Sequence, residues 1–226
     1  MGHLLKILAG PHEGKGMYCF SADLLDGCFS FANMAASAED PLHVLHANTA
    51  AIFFAGSYLE ARLNELIEEM SLGIAEPNVP LAFWQTLNER KKTFSTRDKW
   101  NLIASASGGQ LWDSSAEPFQ SLDVLTTLRN ELVHYKGEMG EKTKPRLRKL
   151  QYLSDRFKGP GDNILRAMNV GSWAHDLLTC PGLGQWVHEV IDPVSDNFDE
   201  LLTGKAPEIL KAAPWPSPTF GPPENS

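Results

Sequence analysis

Asp40-Pro41-Leu42-His43 and Leu59-Glu60-Ala61-Arg62-Leu63-Asn64-Glu65-Leu66-Ile67-Glu68-Glu69-Met70 decide the fold, because they open and carry one very long helix. Asp40 supplies a side-chain acceptor for the free N–H groups of a helix start. Pro41 suits the first helical position, where no N–H is needed. Leu59, Leu63, Leu66, Ile67 and Met70 recur at the spacing of one buried helical face. The run predicts a helix from Pro41 to Leu72, stopped by Gly73. A helix of that length belongs to a bundle.

The flanking segments read as helices too. Ser21 is placed as the N-cap of a helix running to Ala36. Leu81 to Lys92 is a short helix. Ser95 followed by Asp98 forms a capping box that starts another, through about Ser105. Ser107 to Pro118, rich in Gly, Ser and Asp, is a connector. A helix from Ser121 to Lys136 follows, with Gly137 as its stop, and then one from Pro145 to Phe157. Gly159-Pro160-Gly161 breaks the chain before two or three further helical segments that end near Leu202. No segment reads as a strand and no internal repeat is visible, so the predicted fold class is all-α, a helical bundle with extra C-terminal helices. One domain is expected over residues 1–204, followed by a Pro-rich tail over 205–226. Ala212 to Ser226 holds five prolines and few core formers, and Pro214-Trp215-Pro216-Ser217-Pro218 has the form of a polyproline ligand.

Composition limits the functions available. With 226 residues, 42% apolar and 21% charged, the chain has the make-up of an ordinary globular protein. Its formal charge of −8 repels nucleic acid overall, so any such binding has to come from a local patch. Three cysteines without a CxxC pair argue against a disulfide scaffold and against a Cys-rich zinc site. The short apolar run Leu4 to Ala9, interrupted by Lys6, lacks the features of a signal peptide, and no stretch is long and apolar enough for a membrane span. A cytoplasmic protein with reduced thiols and no membrane partner is expected.

Chemistry concentrates at Arg129-Asn130-Glu131-Leu132-Val133-His134. With Asn130 at zero on a wheel of about 100° per residue, Asp123, Thr126, Thr127, Asn130 and His134 form one polar stripe. Val124, Leu125, Leu128, Leu132 and Tyr135 form the opposite, buried face. Arg129 lies at the border, separated from His134 by about 140° of arc and about 7.5 Å of rise. Its guanidinium can curl round to Asn130, which can hold a phosphate or the imidazole. Histidine can take the proton of a 2′-hydroxyl or return one to a leaving oxygen, and arginine can brace the phosphoryl oxygens. This chemistry cuts RNA without a metal or other cofactor, leaving a 2′,3′-cyclic phosphate and a 5′-hydroxyl. The two key residues diverge too far for one helix to complete the site, so a second chain is expected to supply the other half.

Arg129-Asn130-x-x-x-His134 resembles the RNxxxH signature of HEPN domains, helical bundles that include many metal-independent endoribonucleases and toxin or phage-defence effectors. Tyr58-Leu59-Glu60-Ala61-Arg62-Leu63-Asn64 resembles the Glu-containing segment of that family's long early helix. The likeness spans roughly residues 20–160. It implies Arg129 and His134 as catalytic, Asn130 as supporting, a homodimer with facing motif helices, an RNA substrate, and an antitoxin or regulatory protein as partner. One branch of the family carries a tyrosine two residues after the histidine, modified by a nucleotidyltransferase partner. Lys136 stands there in this chain, with tyrosine at 135, so that partner is not implied. The second reading of the same resemblance is a non-catalytic module that binds nucleotide, RNA or a protein.

Other residues support or compete. Glu60 reads as a supporting acid that orients a basic group, with Arg129 as a candidate partner. From Arg129 to Lys158 there are nine Lys or Arg and four acids, a net +5 that leaves −13 for the rest of the chain. Lys136, Lys142, Lys144, Arg146, Arg148 and Lys149 are the candidate RNA-binding residues in that segment. His43 and His46 lie at helical i, i+3 spacing but lack a third ligand, so no metal site is predicted. His175-Asp176 and His188-Glu189 read as surface or satisfied core pairs.

Overall fold

The Asp40 side chain accepts from the backbone N–H groups of Leu42 and His43, and Pro41 follows it into the helix. From this start one helix runs Pro41–Ser71, about 46 Å at 1.5 Å per residue. Leu72 closes it through an N–H bond to the Glu68 carbonyl, and Gly73 then takes a left-handed φ of 68°. The computed structural model describes residues 3–6, 16–73, 79–136, 144–160 and 171–204.

In chain order the described elements are β1 (His3–Lys6), β2 (Gly16–Cys19), α1 (Ser21–Ser37), α2 (Pro41–Ser71), α3 (Leu81–Arg90), α4 (Thr96–Ser107), α5 (Phe119–Val133), α6 (Arg148–Arg156), α7 (Trp173–Leu178), α8 (Pro181–Asp196) and α9 (Phe198–Thr203). The fold is all-α. Among the described residues it is joined by one antiparallel pair of strands, β1 with β2, where no strand was expected. Each strand is only four residues long, too short for a period-two pattern to stand out.

Helix α2 is the axis around which the bundle is built. Its first half presents Ala47, Ala51 and Ala55, all buried, so neighbouring helices approach closely. Helix α1 lies against it and α8 crosses both. A Cβ on Gly184 of α8 would stand 2.9 Å from the Ala32 carbonyl oxygen and from Asn48 Oδ1, so only glycine permits this contact. The wholly buried Asn48 donates to the carbonyls of Leu178 and Cys180 at 2.7 and 2.9 Å, tying the turn between α7 and α8 to α2. The second half of α2 presents Leu59, Leu63, Leu66 and Ile67 to the core, as their spacing predicted.

Helix α4 begins with the expected capping box, Ser95 and Asp98 each bonded to the other's backbone, and ends at Gly108 in left-handed conformation. It delivers Trp100 to the core, with Trp112, Phe119 and Phe198 edge-on around it at 5.2–6.0 Å between ring centroids. Several boundaries differ from expectation. Phe20 rather than Ser21 precedes α1, because Glu65 takes both the Ser21 N–H and its hydroxyl. Helix α3 passes into a 3₁₀ turn at Lys91–Thr93. Helix α6 starts at Arg148 rather than Pro145, with no side-chain cap before it. The expected tail over 205–226 lies outside the described residues, as does Gly137.

Candidate functional site

Helix α5 buries Phe119, Leu122, Leu125 and Leu128 and turns its polar stripe outward. Its regular part ends at Val133, before the expected Lys136. His134 is the C-cap, with φ −104° and ψ 26°, and its N–H still bonds to the Asn130 carbonyl at 3.0 Å. His134 therefore keeps its place on the wheel, whereas Tyr135 leaves it. Tyr135 is 42% exposed rather than buried, and its hydroxyl meets Ser172 Oγ at 3.1 Å.

The stem of Arg129 runs across α2 at Gly56, where an added Cβ would lie 3.3 Å from Arg129 Cγ. From that seat its guanidinium donates from Nη1 to Asn130 Oδ1 at 3.1 Å. Arg129 Nε is buried without a partner among the described residues. Asn130 and His134 are both exposed. An arginine fork, an amide and an imidazole thus share the solvent-facing end of one helix.

Asp123 and Thr127 of the stripe are engaged in holding the fold. Thr127 donates its hydroxyl to the Asp123 carbonyl at 2.6 Å. Asp123 pairs with Lys149 of α6 at 2.7 Å. Lys149, one of the candidate RNA-binding residues, therefore braces α5 against α6. Lys136, Lys144, Arg146 and Arg148 are exposed, while Lys142 lies outside the described residues.

Glu60 sits one helical turn after Gly56 but does not engage Arg129. Its carboxylate is 52% exposed and stands 3.8 Å from the ammonium of Lys99, a buried residue of α4. Lys99 in turn donates to Asn64 at 2.9 Å. Burial lowers the Lys99 pKa, with Glu60 pulling the other way. Glu60 belongs to this strut between α2 and α4, and sequence spacing alone could not reveal a partner arriving from a third helix.

Against known proteins, no family model matches the chain, and no curated protein or solved structure matches it either. The chemistry of the site accordingly rests on its own geometry. Among the described residues no group of three or more His, Cys, Asp or Glu could hold a metal ion, and His43 is 3.2 Å from Asp40 instead. No helix of the described residues is long and apolar enough to cross a membrane.

Two features escaped the sequence reading. Gly56, in the middle of a long helix, is a position where alanine would favour the helix by about 1 kcal/mol; that cost is a signal of close approach. The other is a cleft beside Tyr135, assembled from α2, the end of α5, Ser172 and α7. Its parts lie far apart in the chain, so no local pattern marks it.

Proposed function

We propose that the protein is a metal-independent endoribonuclease of HEPN type, acting as a homodimer. The observation that carries this reading is the exposed His134 at the end of α5, with Asn130 beside it and the Arg129 fork bonded to Asn130. The 2′-oxygen of RNA attacks phosphorus as the bond to the 5′-oxygen breaks. One His134 imidazole takes the 2′-hydroxyl proton, and the imidazole of a second copy protonates the leaving 5′-oxygen. Arg129 stabilises the charge that builds on the non-bridging oxygens.

A second copy is required because Arg129 and His134 stand about 140° apart round the helix. Val133, Leu147 and Tyr152 leave exposed apolar surface on the end of α5 and around α6, which suits such an interface. Lys136, Lys144, Arg146 and Arg148 supply cationic contacts for the RNA backbone in an otherwise acidic chain.

The test compares cleavage and binding of a panel of single-stranded and hairpin RNAs in EDTA. Wild type is expected to cleave. Arg129→Ala and His134→Ala are expected to retain RNA binding and helix content while losing cleavage. Binding without cleavage by wild type would favour the non-catalytic module instead. An effector of this class is toxic on expression and held in check by a protein partner. Toxicity that disappears with His134→Ala is the cellular counterpart of the same test.

A further inference from the structure

We propose that the cleft beside Tyr135 binds one base of the RNA, next to the phosphate handled by the end of α5. The inference rests on the ribonuclease reading above and names a subsite for it. The cleft holds about 300 Å³, the lower end of small-molecule sites and room enough for one base.

Its lining selects the chemical class. Phe53, Leu132 and Leu178 give apolar walls, and among the described residues no carboxylate, ammonium or guanidinium lines the space. This lining favours a neutral group. Hydroxyls of Thr49, Tyr135 and Ser172 and the imidazole of His175 are its polar lining groups, with Tyr135 and Ser172 already bonded to each other. Thr49 already donates to the Leu45 carbonyl, so its remaining capacity is as an acceptor. Flat, neutral groups with alternating donors and acceptors round the edge match this lining, and nucleobases are of that kind. Tyr135, whose ring lies 6.5 Å from that of Trp173, adds an aromatic side chain to the lining.

His175 gives the strongest sign of a missing partner. Its backbone N–H is satisfied by Ser172 Oγ at 3.2 Å, yet its Nδ1 is buried with no partner among the described residues. A buried nitrogen of this kind is costly to leave unpaired, and rotation of the ring can offer it to a base edge. Position agrees with chemistry. Tyr135, which lines the cleft, directly follows His134 in the chain, so the cleft begins one residue past the C-cap of α5.

The experiment titrates adenosine, guanosine, cytidine and uridine, which carry no phosphate, into the full-length protein by calorimetry and saturation-transfer NMR. At least one nucleoside is expected to bind saturably. Thr49→Phe, which fills the cleft, is expected to weaken it at least about tenfold. His175→Ala is expected to weaken it about fivefold or more. Should Thr49→Phe lose helix content, His175→Ala decides alone. The proposal is overturned if none of the four nucleosides binds saturably, or if the folded variants bind them as wild type does. Nucleoside binding by a protein that leaves RNA intact would keep the base site and remove the ribonuclease reading. Cleavage without nucleoside binding would do the reverse.

Discussion

Gly56 can separate the stability of α2 from the placement of Arg129. A methyl group added there would stand 3.3 Å from Arg129 Cγ and 3.6 Å from Cδ and Nε. That is a few tenths of an ångström too close, and the arginine stem, a flexible side chain, recedes by that much. Replacing a helix-interior glycine with alanine favours the helix by about 1 kcal/mol. Gly56→Ala is therefore expected to raise Tm by about 2–4 °C. Gly56→Leu puts an isobutyl group where the stem lies and must lift Arg129 off α2. A misplacement on the order of 1 Å costs up to about 100-fold in rate, so single-turnover cleavage is expected to fall at least about tenfold while the far-ultraviolet spectrum stays helical. Thermal melts and cleavage of an end-labelled RNA, run on both variants, give the two readouts. Wild-type cleavage by a folded Gly56→Leu would refute the idea that this seat aims the guanidinium.

Other perturbations follow from the struts and buried groups. Lys99→Met removes a buried ammonium and leaves Glu60 to water, so the urea unfolding free energy should stay within about 1 kcal/mol of wild type or rise. Lys99→Ala, which leaves a void, should cost about 2 kcal/mol or more, and equal losses in both variants would point to the charge as essential. Burial raises the carboxyl of Glu69, against the pull of Arg62 beside it. The folded chain then holds that proton more tightly than the unfolded chain, so the stabilisation is present below the ordinary carboxylate value and is lost as pH rises through the folded one. Denaturant midpoints from about pH 4 to pH 7 should fall for wild type relative to Glu69→Gln, and a constant difference would contradict this sign. Burial pushes the Cys19 and Cys28 thiols up to about 12, whereas Cys180 is half-buried. Iodoacetamide on the native protein at about pH 8 should label Cys180 first by mass spectrometry, and early labelling of Cys28 would contradict the packing of α1.

What could be read from sequence was whatever is decided within one turn of chain. Asp40-Pro41 and Ser95 with Asp98 were legible because a cap is satisfied by atoms two or three residues away. The buried face of α2 was legible because its period persists over several turns. Misreadings came where a distant group intervened. Ser21 lost its capping role to Glu65, and Glu60 found Lys99 rather than Arg129. The pairing of Lys149 with Asp123, 26 residues away, was likewise not legible. Tyr135 was placed in the core because the wheel was continued past Val133, whereas α5 stops at His134 without a glycine. In the candidate site, the Arg129–Asn130–His134 set was visible as a motif, but its seat on Gly56 and the neighbouring cleft depend on tertiary packing.

The most direct measurement of the central claim is the chemistry of the cut ends. Defined RNA is incubated in EDTA with wild type and with His134→Ala, and the product termini are analysed by mass spectrometry. The account predicts 2′,3′-cyclic phosphate and 5′-hydroxyl ends from wild type. His134→Ala should lower the rate by about 100-fold or more. Intact RNA with wild type, cleavage that needs a divalent metal and leaves 5′-phosphates, or an unimpaired His134→Ala variant would each contradict it.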